Sequence, residues 1–204
     1  MSGVVRLLVA DDQALVRGAL AALLDLESDL QVVAEVDRGD HVLAACRAHD
    51  VDVAVLDVEM PGLDGIRAAA EVKAQLPQVR VLIVTTFGRP GFLRRALAAG
   101  VDGFLVKDTP ARQLADAVRR VHRGLRVVDP LLAADSLAVG ESPLTPRETE
   151  VLRCALGGAT VATIARQLTL SEGTVRNHLS GAIGKTGAAT RAQAARIAQD
   201  NGWL

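Results

Sequence analysis

Short, almost continuously apolar runs punctuate the first 125 residues: VVRLLVA at 4–10, QVVAEV at 31–36, VDVAVLDV at 51–58, VRVLIVTT at 79–86 and GFLV at 103–106. Their length and their wealth of Val, Ile and Leu mark strands buried on both faces. Between them, residues 14–26, 39–49, 65–75, 91–99 and 111–123 carry apolar side chains at helical spacing. Five strand–helix units in succession predict an α/β domain, a doubly wound, five-stranded parallel sheet with helices on both faces.

The pattern weakens over GLRVVDPLLAADSLAVGESP, which starts at Gly124. Two prolines, scattered acids and small residues predict a linker with one short helix after Pro130. Beyond it, 146–156, 161–168, 172–185 and 191–201 all read as helices. The expected organisation is residues 1–124 as one domain, 125–142 as a linker and 143–204 as an all-α, four-helix domain.

Composition sharpens this division. The chain has 204 residues, half of them hydrophobic, enough for two cores. A net charge of −1 hides an asymmetry: residues 143–204 hold seven Lys/Arg against four Asp/Glu, and the remainder sixteen against twenty. An acidic front and a basic back point to a second module that meets nucleic acid. No apolar run approaches the roughly 20 residues a membrane helix needs, so no membrane insertion is expected. The start, MSGVVRLLVADD, is not a signal peptide. Cys46 and Cys154 lie far apart without partner ligands, as expected of reduced packing residues in a cytoplasmic protein.

The chemistry gathers at one edge. In an open parallel sheet, function collects where the strands' carboxyl ends emerge. Those positions carry Asp11 and Asp12, Asp57, Thr85 and Thr86, and Lys107. Asp57 is the single polar residue in the run 53–58, and a buried carboxylate is costly without compensation. Crowded carboxylates repel unless a cation joins them, and Mg²⁺ takes oxygen ligands of this kind. A carboxylate beside such an ion can attack phosphorus and form an acyl phosphate. Lys107 would then neutralise a phosphoryl oxygen and Thr85 hydrogen-bond another. Singly, each residue has an ordinary reading: Asp11 or Asp12 as a helix cap, Asp57 as a satisfied buried acid, Lys107 as a surface lysine. The MPG after Glu59 is turn chemistry, and Arg89-Pro90-Gly91 opens the fourth helix.

The paired acids, LDVEMPGLDG, VTT and GFLVKD together resemble the signature of a two-component response-regulator receiver domain over roughly the first 125 residues. The resemblance implies a flavodoxin-like strand order 2-1-3-4-5 and Asp57 as phosphoacceptor. It also implies Mg²⁺ held by Asp11, Asp12, Asp57 and the backbone carbonyl of Glu59. Thr85 would be the switch hydroxyl, Phe104 the switch aromatic and Lys107 the phosphate-pairing lysine. Phe104 has no hydroxyl, so its switching can only be a packing change. Asp108-Thr109 stands where a proline often follows the lysine. The stretch TTFGRPGFLRRALAAGVDGFLVKD also bears some likeness to regulators of membrane-lipid desaturation that answer a membrane thermosensor kinase.

In the back half, Thr145, Pro146 and Glu148 stand at capping-box spacing and Gly157-Gly158 ends that helix. IARQLTLSEGTVRNHL reads as helix, turn, helix: Ile164, Ala165 and Leu168 inward, Ser171 as cap, Val175 and Leu179 as anchors. The second helix suits a DNA major groove, where Arg reads guanine and Asn reads adenine. This segment resembles the LuxR-type DNA-binding domain from Leu144 to about Trp203, with SEGTVRNHL close to the recognition-helix motif. The DNA-facing set is Thr174, Arg176, Asn177, His178 and Lys185. The last helix offers Ala192, Ala194, Ala195, Ile197 and Ala198 for packing, and in the family it commonly forms the DNA-bound dimer contact. Trp203 is a core plug. Ala162, Ser180-Gly181 and the GAATR turn replace bases common in relatives, so fewer phosphate contacts are expected.

Receiver plus LuxR-type module resembles a NarL/FixJ-class response regulator. The implied partners are a sensor histidine kinase, double-stranded promoter DNA, RNA polymerase and a second copy of the chain on phosphorylation. The expected activity is no more than self-catalysed phosphoacceptance and dephosphorylation. Two enzyme-like or carrier readings fail. VADDQ lacks the DxD of haloacid-dehalogenase phosphatases, and the first loop lacks a flavodoxin's phosphate cradle and stacking aromatics. The alternative is a phosphorylation-independent regulator with a silent receiver.

Overall fold

The computed structural model describes residues 3–86, 88, 90–130, 132–134 and 142–204. The chain forms two compact units, one ending near Ala133 and one built from the C-terminal helices.

The first unit runs β1 (Val5–Ala10), α1 (Ala14–Asp25), β2 (Leu30–Val36), α2 (Val42–Ala48), β3 (Val53–Leu56), α3 (Gly65–Gln75), β4 (Arg80–Thr85), α4 (Pro90–Ala98), β5 (Gly103–Val106), α5 (Ala111–His122) and β6 (Val127–Val128). All pairings are parallel, in the order β2-β1-β3-β4-β5-β6. The doubly wound sheet is as expected, with six strands rather than five. β6 lies in the stretch expected to be linker; two valines between Arg126 and Asp129 are too short a run to show a strand period, and they register against Gly103 and Phe104. The helix expected at 39–49 opens as one 3₁₀ turn, Gly39–His41, before α2. The helix expected after Pro130 does start there, and its far end lies outside the described residues. The same holds for Arg89 in the expected start of α4.

Strand alternation explains the unbroken apolar runs. Leu7, Val9, Val53, Val55, Leu82 and Val84 pack on one face with Leu114, Val118 and Val121 of α5 and Leu24 of α1. Leu8, Ala10, Ala54, Leu56, Val81 and Ile83 pack on the other with Val42, Ile66, Val72 and Leu93 of α2, α3 and α4. Burial on both faces removes water from every central strand, at roughly 1.5–3 kcal/mol per large side chain. That rigidity fixes where each strand ends.

The second unit comprises α6 (Pro146–Leu156), α7 (Val161–Leu168), α8 (Glu172–Thr186) and α9 (Arg191–Asp200). Thr145, Thr160, Ser171 and Thr190 cap these helices, each accepting a backbone N–H three residues on. Glu148 completes the expected capping box. Ile164, Ala165, Val175 and Leu179 are buried, as the pattern predicts, with Val151, Leu152 and Ala198. Trp203 packs against this core.

The turn between α7 and α8 contains Thr169 at φ 54°, ψ 48°. A β-branched residue in the left-handed region carries strain of order 1 kcal/mol or more. Thr169→Asn should therefore stabilise this unit by about 1 kcal/mol. Urea denaturation of the full chain checks it through Trp203, the single tryptophan.

A carboxylate cluster and a recognition helix

Three residues of the cluster occupy the first position beyond a strand and are held there by a continuation of the sheet ladder. The N–H of Asp11 donates to Val36 O at 3.1 Å, that of Asp57 to Ala10 O at 2.8 Å and that of Lys107 to Thr85 O at 2.9 Å. Their side chains therefore converge over the same sheet edge.

Lys107 Nζ donates to Asp57 Oδ2 at 2.9 Å and lies 2.6 Å from Asp11 Oδ2. The second contact is a close ion pair, and the ammonium is the polar partner of the buried Asp11 Oδ2. The other oxygens are occupied: Asp57 Oδ1 accepts Val58 N–H at 2.7 Å and Asp11 Oδ1 accepts Gln13 N–H at 3.0 Å. Burial pushes the Asp57 carboxyl above its usual range; Lys107 pulls it back and Asp11 pushes it further up. Burial alone would lower the Lys107 ammonium, but its hydrogen bonds and charge pairing with Asp11 and Asp57 outweigh it and hold the pKa high.

Carboxylate oxygens of Asp11, Asp12 and Asp57 lie within 4.8 Å of one another. Fully ionised, these acids and one lysine leave the pocket two charges negative. Three hard oxygen donors this close, with a net negative charge left over, fit a divalent cation of the Mg²⁺ kind. Helix capping does not account for the acids, since α1 opens at Gln13 without a side-chain cap. Thr85, buried, ends β4 at the same edge. Phe104 is already fully buried, so any change in its packing starts from inside the core. Glu59 is exposed in the loop between β3 and α3, and among the described residues its carbonyl accepts no backbone hydrogen bond.

That loop is pinned in ways the sequence did not signal. Gly65 presses on the carbonyl of Asp57, leaving no room for a Cβ, and its N–H donates to Val58 O at 2.9 Å. Gly62 sits at φ 77° with the Asp40 carboxylate where a side chain would lie. The N–H of Gly39 donates to Pro61 O at 3.1 Å. Asp64 caps α3 through Arg67 N–H at 2.8 Å and pairs with Arg95 of α4 at 3.1 Å. The Gly62–Asp40, Gly39–Pro61 and Asp64–Arg95 partners lie more than 20 residues apart, beyond the reach of any local pattern.

On α8, Glu172, Arg176, Asn177 and Ser180 are exposed, while Thr174 and His178 are half-buried. Thr174 Oγ1 lies 2.8 Å from Ser171 Oγ, within the cap. Arg176 pairs with Glu172 one turn earlier at 2.7 Å, so it exchanges that contact when it reaches outward. Lys185 is differently placed from the rest of the expected DNA-facing set. Its Nζ donates to Glu148 Oε2 at 2.7 Å, the oxygen that also accepts Thr145 N–H at 2.7 Å. Gly181 gives Glu148 the space to enter. A buried carboxylate thus draws Lys185 back toward α6. On α9, Ala194, Ala195 and Ala198 are consumed by the unit's own core and Ile197 is half-buried, leaving Ala192 as the exposed member of that set. Cys46 and Cys154 are free thiols, and burial pushes the Cys46 thiol up to about 11.

Residues 7–119 match the family model for the response regulator receiver domain, and residues 142–198 that for bacterial regulatory proteins of the luxR family. The chain is 42% identical to the uncharacterized transcriptional regulatory protein YvfU of Bacillus subtilis (strain 168), across 98% of this chain and 100% of that one. It is 38% identical to the transcriptional regulatory protein DesR of the same organism, across 98% and 99% respectively. Among solved structures, the response regulator ChrA of a heme-sensing two-component system aligns at a TM-score of 0.61 and 32% identity, covering 99% of this chain and 100% of that one.

Glu148 gives a pH test. Burial raises its carboxyl, but the Lys185 and Thr145 hydrogen bonds and the Lys185 charge outweigh it and hold it below the usual 4.5. A carboxylate depressed on folding contributes stability that is full above 4.5 and fades as pH falls through the folded value. Glu148→Gln should cost about 1–2 kcal/mol at pH 7. The gap to wild type should narrow below pH 4.5, read by Trp203 fluorescence in urea.

Proposed function

We propose a phosphorylation-controlled switch for this chain, which belongs to the two-component response regulators that carry a LuxR-type DNA-binding domain. It is a DNA-binding regulator of transcription. The observation that carries the reading is the Asp11–Lys107–Asp57 contact, one ammonium bridging two buried carboxylates, of which Asp57 is the candidate nucleophile.

In this reading a carboxylate oxygen of Asp57 attacks the phosphorus of a phosphohistidine on a sensor kinase. An O–P bond forms, the N–P bond breaks, and the imidazole leaves with the electron pair. Asp11, Asp12, Asp57 and the Glu59 carbonyl would hold Mg²⁺, which when bound would offset the charge on the phosphoryl oxygens. Lys107 stays within reach of a phosphoryl oxygen, and Thr85 supplies a hydroxyl to another. Phosphorylation adds roughly −1.5 to −2 charges at a site already rich in acid. The response is a repacking around Thr85 and Phe104 that favours dimerisation and DNA binding. The intact acid cluster, with its lysine in place, argues against a silent receiver.

The outer face of α1 supports a dimer through α1 and α5. Leu15 and Leu26 are 86% and 80% exposed, and with exposed Ala19 and Ala22 they form an apolar stripe at 4-3-4 spacing. A cytoplasmic setting with a histidine kinase and RNA polymerase follows from the same reading. Among the described residues no helix is long and apolar enough to cross a membrane. On DNA, Arg176, Asn177 and Thr174 read bases or phosphates, His178 supports them, and Lys185 reaches a phosphate only by leaving Glu148.

The test uses the full chain, a small phosphodonor with Mg²⁺, and a DNA fragment selected from random sequence by the donor-treated protein. Wild type should shift toward dimer and bind at least tenfold tighter after treatment, whereas Asp57→Ala should do neither. Identical behaviour of the two proteins would overturn the reading. Arg176→Ala should weaken DNA binding by about 1–3 kcal/mol while leaving phosphorylation intact.

A further inference from the structure

We infer that Leu132 is the residue through which the receiver's phosphorylation state reaches the segment leading to the DNA-binding unit; the inference rests on the switch reading above. Asp129 hangs that segment on the switch strand. Its N–H donates to the carbonyl of Phe104 at 3.2 Å, one step beyond the pairing of Phe104 with Val128. Its side chain then caps the turn that begins at Pro130: Asp129 Oδ1 accepts Leu132 N–H at 3.2 Å, and its carbonyl accepts Ala133 N–H at 3.0 Å. Pro at the first helical position suits such a start.

This cap directs Leu132 into the receiver. Leu132 is buried in the cluster that contains Phe104 of β5 and Phe92, Leu93 and Ala96 of α4. Its methyl groups fill the place a Cβ on residue 88 would need, and residue 88 is glycine. Gly88 stands three residues beyond Thr85, in the connection from β4 to α4. One side chain is therefore wedged between the connection that follows the switch hydroxyl and the cluster holding the switch aromatic. A close-packed seat of this kind transmits displacement, since neither side can move without the other.

The seat stands in the same arrangement as the Lys107–Asp57 ion pair, a contact that a phosphoryl group on Asp57 would have to break into. Packing of Leu132 thus favours the unphosphorylated arrangement, and release of the wedge accompanies phosphorylation. Coupling between two sites is reciprocal. If phosphorylation unseats Leu132, then removing Leu132 must make phosphorylation easier.

The experiment measures two quantities in the full chain: the steady-state fraction of phosphorylated Asp57 at a fixed, subsaturating small phosphodonor, and the ratio of DNA affinities with and without donor. Leu132→Ala empties the seat. Gly88→Ala, which leaves Leu132 intact, expels it, and keeps the test valid should the first variant fold poorly. Leu132→Met, which can refill the seat, serves as the conservative control. The expectation for both disruptive variants is at least a fivefold rise in the ratio of phosphorylated to unphosphorylated protein, together with an affinity ratio compressed toward one. Leu132→Met should behave as wild type. Wild-type values of both quantities in Leu132→Ala and Gly88→Ala, with normal phosphorylation of wild type, overturn this inference alone. A wild type that takes no phosphoryl group at Asp57 overturns the switch reading beneath it.

Discussion

One ammonium held between two buried carboxylates organises the receiver. Lys107 reaches both Asp57 and Asp11 because β1, β3 and β5 end at one sheet edge, with β4 between the last two, each ladder continuing one residue past its strand. The pocket remains short of positive charge, with three carboxylates against one ammonium. Such an imbalance suits the proposed role, in which the site takes up a cation and a phosphoryl group. Removing either acid would relieve the crowding and, under the proposed function, remove a group the chemistry needs, the usual tension between stability and function.

The loop beyond Asp57 shows how the rest of the unit serves that pocket. Gly65 permits the close approach of α3 to the carbonyl of Asp57, Gly39 and Asp40 clasp the turn from the side, and Asp64 links it to Arg95 of α4. α4 follows directly on the connection from Thr85. The nucleophile, its loop and the element expected to respond are therefore mechanically joined before any ligand arrives. In the second unit an analogous economy operates. Glu148 closes a capping box, fills the space left by Gly181 and retains Lys185. One buried acid thereby joins α6 to the recognition helix, at the expense of a cation that would otherwise face phosphates.

Most of the fold was legible because burial on both faces writes itself into composition. Strands such as Val53–Leu56 and helices such as Gly65–Gln75 and Pro146–Leu156 stand where periodicity and caps place them. The cluster was legible too, since strand ends in a parallel sheet must share an edge. β6 escaped because two residues carry no period. The Lys185–Glu148 contact left no local mark, because the partner lies 37 residues away and is buried. The availability of Ala194, Ala195 and Ala198 could not be settled by pattern, since small residues on a helix serve an internal core and a partner's surface equally well. The seat of Leu132 over Gly88 escaped for the same reason as the clasp at Gly62: a glycine's missing side chain reveals nothing of what fills its place.

The central claim is that Asp57 takes a phosphoryl group. Intact-mass spectrometry of the full chain after treatment with a small phosphodonor and Mg²⁺ tests it most directly. The account predicts a mass gain of one phosphoryl group that hydroxylamine removes and that Asp57→Asn does not show. No gain in the wild-type chain, or a gain that persists in Asp57→Asn, would contradict it.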